Sequence, residues 1–236
     1  LFEGFTLLPW AQAAERDAAN GIYQALRSFD RWLSKTSTSE KQSLMLHRGL
    51  ILTADHAASA GVERFPEMPL TMARAHQPLG THALHDHQAA MKTAPPGSAI
   101  LVAPTGSGKT EGALLWAAKQ LEHRPAARLF YTLPYQASMN AMRDRLAIRV
   151  FGRSAEEVQR GECREVAVQH SRALLKHYQD YMAIEEGDSR TARRVAKDLR
   201  NLAQLNFFPI QVFSPYQMLK AAYSLKGYET LLLDYS

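Results

Sequence analysis

Apolar residues recur at three- and four-residue steps through the first sixty positions, with Ala18, Ile22, Ala25, Leu26, Phe29 and Leu33 in one stretch and Leu44 to Ala60 repeating the pattern. Steps of three and four keep a stripe on one side of a 3.6-residue helix, so this region predicts helices and no strand. Between Gly61 and Gly80, prolines and glycines break both periods, in Phe65-Pro66-Glu67-Met68-Pro69 and again in Gln77-Pro78-Leu79-Gly80, which predicts a linker. From Ala99 onward the texture changes. Short apolar runs at Ala99–Ala103, Leu129–Leu133, Val166–Val168 and Ile210–Phe213 predict strands, with helical stretches between them. Strand-helix alternation predicts an α/β fold with a mainly parallel sheet covered on both faces, because parallel neighbours need a crossover and helices usually supply it. No internal repeat is present.

Composition narrows this only slightly. A chain of 236 residues, 46% hydrophobic and 22% charged, is an ordinary globular protein with one substantial core and part of another. Its net charge of +5 suits a phosphate-bearing partner without identifying one. Cys163 is the only cysteine, which excludes a disulfide within the chain and a cysteine-rich zinc site, and fits a reducing cytoplasm. There is neither a signal-type apolar core nor a run of membrane-spanning length, so no membrane partner is expected. The start at Leu1 and the stop at Ser236, directly after Leu231-Leu232-Leu233-Asp234-Tyr235, give the expectation of a fragment.

The motif with chemical content stands where Ile100-Leu101-Val102 runs into Ala103-Pro104-Thr105-Gly106-Ser107-Gly108-Lys109-Thr110 and then a helical stretch. Glycines at 106 and 108 let successive backbone N–H groups turn inward around phosphates, and the helix that follows offers its positive end to an anion. Lys109 is expected to reach the β- and γ-phosphates of ATP and Thr110 to offer its hydroxyl to Mg²⁺, with Thr105, Gly106, Ser107 and Gly108 completing the cradle.

The flanks narrow the class of nucleotide-binding protein. Upstream stands Leu84-His85-Asp86-His87-Gln88. Downstream, Tyr131-Thr132-Leu133-Pro134-Tyr135-Gln136 runs into a helix bearing Asn140 and Arg143. A third strand end, Phe213-Ser214-Pro215-Tyr216-Gln217, repeats that arrangement. These resemble the motifs of superfamily 2 helicases, in which a glutamine at the position of Gln88 pairs with adenine. The resemblance also implies that the turns and helix starts at Pro134, Gln136, Asn140, Ser214 and Gln217 grip the phosphates of a strand. Tyr135 and Tyr216 are candidates for stacking on bases.

More closely, residues 99–146 are similar to the helicase-nuclease of type I CRISPR systems, and Arg48-Gly49-Leu50-Ile51-Leu52-Thr53-Ala54-Asp55-His56-Ala57-Ala58-Ser59 is similar to the last helix of that family's HD nuclease domain. The resemblance implies that residues 1–75 are the end of an HD-type domain plus linker. Residues 76–236 are then a first RecA-like domain, incomplete at its C-terminus. It implies Asp55 as a ligand to the divalent transition metals of the nuclease, and single-stranded DNA and a guide-RNA surveillance complex as partners. The activity it implies is ATP-dependent translocation along invading DNA and its degradation, with Lys109 and Thr110 as the catalytic residues in this chain and the chain inactive by itself. The residues leave two other readings open: a general superfamily 2 helicase with an unrelated helical extension, and a binding module whose phosphate loop is vestigial.

Three features fit less directly. His85-Asp86 spells the dipeptide of an HD nuclease but lies beside the motor motif, and Asp55-His56 has the reverse order, so neither is expected to be a nuclease centre. Asp234 is either the Mg²⁺-holding aspartate of the motor with Tyr235 in place of its glutamate, or, as the favoured reading, an ordinary aspartate ahead of a later Asp-Glu pair. Arg190, Arg193, Arg194, Lys197 and Arg200 form a basic run at helical spacing, which reads as a solvated face or a surface that follows phosphates.

Overall fold

The computed structural model describes residues 9–122, 124, 127–184, 188–223 and 228–235, and leaves the side chains of 9–16, Leu33 and Tyr235 outside that description. His123, Leu1 and Ser236 also lie outside it. The helical opening is present as α1 (Pro9–Lys35) and α2 (Thr38–Ser59). Ser37 and Glu40 set the start of α2: the serine hydroxyl accepts from the Glu40 N–H, and the glutamate carboxylate accepts from the Ser37 N–H at 2.9 Å. The stripe of α1 remains exposed, Ile22, Leu26, Phe29 and Trp32 included.

The Pro/Gly-rich stretch departs from a linker. It contains α3 (Met72–His76) and a 3₁₀ turn (Gln77–Leu79), and Leu70 and Ala75 are buried in the main core. Its prolines break the helical period, yet Met68, Leu70, Met72 and Leu79 between them supply enough apolar surface to dock the segment.

Then follow α4 (Asp86–Thr93), α5 (Lys109–Leu121), β1 (Leu129–Thr132), α6 (Gln136–Arg145), a π turn (Leu146–Val150), α7 (Ala155–Arg160), β2 (Val166–Gln169), α8 (Ala173–Met182), α9 (Ser189–Gln204), β3 (Ile210–Phe213), α10 (Pro215–Ala222) and α11 (Tyr228–Tyr235). The sheet is parallel with order β1-β3-β2, as expected of an α/β fold. Successive side chains of a strand point to opposite faces. Val166 and Val168 of β2 accordingly join Ile210 and Val212 in the core with α5 and α6, whereas Ala167 meets Leu199 and Ala203 of α9 on the other face. Both faces of the sheet are covered.

One expected strand is absent. Residues 100–103 form no ladder, and Ile100 and Val102 are 93% and 87% exposed. A strand exists only through a neighbour's backbone, and among the described residues none pairs with this segment. Within it Leu101 turns inward, its side chain lying against Gly112 of α5.

The second layer carries α11, whose end is tied to the sheet by Asp234. Asn206 donates to its carboxylate, Arg128 stands 3.9 Å away, and Gln211 donates to the Asn206 side-chain oxygen at 2.7 Å. Arg128 and Asn206 precede β1 and β3, so Asp234 sits at the amino ends of the strands. Ligands of parallel α/β sheets gather at the carboxyl ends. Asp234 is thus a structural aspartate in a helix, in line with the favoured reading. Burial pushes its carboxyl up, against the Asn206 and Arg128 contacts that lower it. Helix α2 packs on α11, and Gly49 comes so close that an added Cβ would stand 2.3 Å from the Glu229 carbonyl oxygen.

Candidate functional site

The phosphate loop forms although its leading strand does not, because its shape is fixed locally. Gly106 and Gly108 have φ of 81° and 75°, in the left-handed region that glycine adopts without strain. At Gly108 a Cβ would in addition stand 2.3 Å from the amide nitrogen of Gln88. The Ser107 hydroxyl donates to the Pro104 carbonyl at 2.8 Å. The Lys109 ammonium reaches back across the loop and donates to the carbonyls of Ala103 at 2.9 Å and Pro104 at 2.7 Å. Thr110 follows as the second residue of α5, half-buried, and Thr105 is exposed at the tip of the loop.

Gln88 takes a different part from pairing with adenine. It is 1% exposed; its amide nitrogen donates to the Gly108 carbonyl at 3.1 Å and its oxygen accepts from the His85 N–H at 3.0 Å. With both ends of the amide bound to main chain, Gln88 fastens α4 to the loop. His87 assists it by donating from Nε2 to the Ser107 carbonyl at 3.0 Å, its ring stacked on that of His85. Sequence reasoning passed over His87, although it stands one position from the glutamine.

The second half of the site follows from strand register. Thr132, Phe213 and Gln169 lie abreast in the parallel ladder, so the turns after β1, β3 and β2 open on one edge of the sheet. Pro134 and the amino end of α6 follow β1, and Ser214 caps α10 after β3. The Ser214 side chain makes no capping bond to that helix. Tyr135 and Tyr216 project outward beside these turns. Gln217 lies one turn into α10 and lines a groove discussed below.

Between these two turns in sequence, and beyond β3 in the sheet, comes a third that the sequence did not single out. Gln136 donates to the Ser171 hydroxyl at 3.1 Å, and His170 contacts the Asn140 side-chain oxygen at 2.8 Å. The Arg172 N–H donates to His170 Nδ1, which leaves the ring proton on Nε2 and makes His170 the donor to Asn140. The Asn140 amide NH₂ therefore stays available as a donor. Burial holds the His170 ring below the usual histidine range, in keeping with a neutral donor. His170 and Ser171 directly follow β2, as Pro134 follows β1 and Ser214 follows β3; that parallel placement is the signal by which they can be found.

Arg143 turns inward to Asp180 at 2.8 Å and is buried. It supports α6 from below. An ion pair from Arg145, at the far end of α6, to the buried Glu111 of α5 joins the two halves of the site. Asp55 is exposed on α2, and among the described residues no three acidic, histidine or cysteine side chains gather as a metal site. No helix among them is long and apolar enough to cross a membrane.

The chain is similar to three curated proteins. It is 34% identical over 116 residues to the putative CRISPR-associated nuclease/helicase Cas3 of Methanocaldococcus jannaschii, a match covering 49% of this chain and 13% of that protein. With the CRISPR-associated endonuclease/helicase Cas3 of Escherichia coli K12 it shares 41% identity over 76 residues, 28% of this chain and 9% of that protein. With the CRISPR-associated nuclease/helicase Cas3 of Methanothermobacter thermautotrophicus it shares 31% over 106 residues, 41% and 11% of the two chains. The matched part thus spans about a tenth of the length of these relatives. No solved structure matches the chain. Residues 85–202 match the DEAD/DEAH box helicase family. That half of the chain begins at the helix fastening the loop and runs through the turns after β1 and β2, and with it the protein belongs to the DEAD/DEAH box helicase family.

Proposed function

We propose that the chain is the nucleotide-gripping and strand-gripping part of an ATP-dependent single-stranded-DNA translocase and nuclease that degrades invading DNA in CRISPR interference. Residues 76–236 are the first RecA-like domain, and α1 and α2, within residues 1–75, are the closing helices of an HD-type nuclease domain. The observation that carries the reading is the Glu111–Arg145 pair: it joins the helix behind the phosphate loop to the helix whose other end stands among the strand-end turns. Similarity to nuclease/helicases named Cas3 supports the CRISPR setting, and with it a guide-RNA surveillance complex as partner.

In this reading the N–H groups of Gly106, Ser107 and Gly108 surround the phosphates of ATP, with Thr105 at the rim, and the Lys109 ammonium leaves its two loop carbonyls for phosphate oxygens. The left-handed Gly108 lies so close to Gln88 that a Cβ there would displace the amide that holds the loop in shape. The Thr110 hydroxyl would hold Mg²⁺, which when bound would supply positive charge to offset that of the phosphates. Gln88 is a positioning residue for the loop. Pro134, Gln136, Asn140, Ser214 and Gln217 hold the backbone of the strand, with His170 orienting Asn140. Asp55 serves the divalent metals of the nuclease.

The test is ATP hydrolysis by the whole protein with and without single-stranded DNA. Hydrolysis is expected to require the strand, and Lys109→Ala to abolish it. Unchanged hydrolysis in that variant overturns the reading.

A further inference from the structure

We propose that the outer face of α9 and the groove at its carboxyl end form a phosphate track for a single-stranded nucleic acid, continuing beyond the strand-end turns. The proposal rests on the strand-binding reading above and adds a surface to it.

Charge is the first observation. Helix α9 carries Arg190, Arg193, Arg194, Lys197 and Arg200 against one acid, Asp198, a net +4 in a chain whose total is +5. All five cations are exposed. Among the described residues, Arg48, Arg64, Arg128, Arg143, Arg145, Arg153 and Arg160 each pair with a carboxylate, whereas none of the five on α9 does. The opposite face of the helix is fully used, with Ala192, Ala196, Leu199 and Ala203 buried. Among the described residues, the fold therefore makes no use of these cations in ion pairs.

Direction is the second. Arg193, Lys197, Arg200 and Gln204 follow one another at four, three and four residues, as do Arg190, Arg194, Lys197 and Asn201. Both rows are helical stripes, and both end in a residue that lines a groove of about 520 Å³. The far wall of the groove holds Gln217 and Lys220 of α10, one turn and two turns beyond Ser214, with Gln169 at the end of β2 and His56 of α2. No acidic residue lines it. Amides and one lysine suit phosphate and base edges alike, and the groove is too small to admit a duplex. From Arg190 to Gln204 the helix rises about 21 Å, room for roughly six stacked nucleotides of one strand.

The test compares the chain with Arg193→Gln/Arg194→Gln/Lys197→Gln/Arg200→Gln in fluorescence anisotropy with labelled oligo(dT), between about 50 and 200 mM salt. Each phosphate contact on a single strand contributes about 0.7 to the slope of log affinity against log salt, so the variant should lose about 3 from the slope and at least about tenfold in affinity. Arg27→Gln/Arg31→Gln/Arg64→Gln/Arg160→Gln removes the same charge from exposed positions off the groove and should leave the slope near that of the unaltered chain. If the α9 variant binds as the unaltered chain does, the track is wrong while the motor reading stands. Equal weakening in both variants also overturns it, since net charge then suffices. An unaltered chain that does not bind oligo(dT) overturns both readings. Crosslinking of a 4-thiothymidine oligonucleotide to the unaltered chain, mapped by mass spectrometry, needs no variant to fold: crosslinks within 189–204 support the track, and crosslinks confined to the turns after β1 and β3 overturn it.

Discussion

The phosphate-loop corner and the strand-end edge of the sheet are built on opposite principles. At the corner the backbone ahead of the loop pairs with no strand among the described residues, and the shape is held by left-handed glycines and by Gln88, His87 and Lys109 within about twenty residues of one another. At the edge, three turns far apart in sequence are aligned only because β3 pairs in register with both β1 and β2. Local geometry survives an incomplete sheet, whereas mutual alignment does not. Damage to the ladder should therefore scatter the turns and unfold the core, and damage to the loop should remove nucleotide binding while the turns keep their grip.

The largest effect is expected from Phe213→Ala. Phe213 is fully buried in the central strand and meets the Phe130 ring edge-on at 5.5 Å. Truncating such a residue costs about 3–5 kcal/mol, which lowers the thermal midpoint by roughly 10 °C in a chain of this size. Calorimetry that shows a drop under about 2 °C would remove β3 from the centre of the comparison. Next is Gly108→Ala. The left-handed backbone costs about 1–2 kcal/mol with a Cβ, and moving Gln88 off two main-chain partners adds about 1–3 kcal/mol. Binding of a fluorescent ATP analogue should fall at least about 100-fold, the equivalent of about 3 kcal/mol. Affinity for oligo(dT) should stay within about twofold; a parallel loss of both would mean that the two regions fold as one.

The same contrast explains what was legible in the chain. Residues 103–110 announce the loop by themselves, because the bonds from Ser107 and Lys109 to the Ala103 and Pro104 carbonyls are local and two of its residues must be glycine. All three strands among the described residues were readable as apolar runs, and so was their parallel arrangement. The run at 99–103 reads identically and forms no strand, since pairing depends on a neighbour that no local pattern encodes. Leu70 and Ala75 were hidden for a related reason: prolines mask a docking segment when burial rather than period decides. Gln88 was found by its place in a motif, while its bond to the loop was not legible, because only the fold brings the Gly108 carbonyl to its amide. His170 carries no local signal, and it is strand register that sets it beside Asn140.

Acid should separate the regions further. His177 lies buried beneath α6, and burial first, with Arg143 second, depresses its ring to about 4, while Asp180 opposes the shift and Lys176 and His170 add to it. A histidine whose folded value lies below its unfolded value of about 6.5 contributes stability that is present above 6.5 and lost as pH falls through the folded value. Urea unfolding at about pH 7 and pH 4.5 should then differ by roughly 2–3 kcal/mol. His177→Gln should remove most of that difference. The group supports α6 and α8 rather than the loop, so a pH dependence unchanged by the substitution would shift the acid-sensitive part of the molecule elsewhere.

The smallest expected effect on stability tests the ion pair that links the two regions. In the Glu111–Arg145 pair the arginine side chain is 46% exposed and the glutamate 10%, so solvent screens the attraction and Arg145→Gln should cost about 1 kcal/mol or less. The consequence for coupling is larger than for stability. Arg145 stands nine residues from Gln136, about 13 Å along α6, so a shift of α5 on nucleotide binding acts at one end of a rigid helix whose other end faces the strand. Coupling between two sites is reciprocal and typically about 5- to 150-fold. ATP analogue should therefore change oligo(dT) affinity by the same factor as oligo(dT) changes affinity for the analogue. In Arg145→Gln that factor should fall toward one while each ligand taken separately binds within about twofold of its usual affinity. A variant that keeps the full factor would show that the regions communicate through the sheet, and the contrast between a locally built corner and a register-built edge would lose its only bridge at α6.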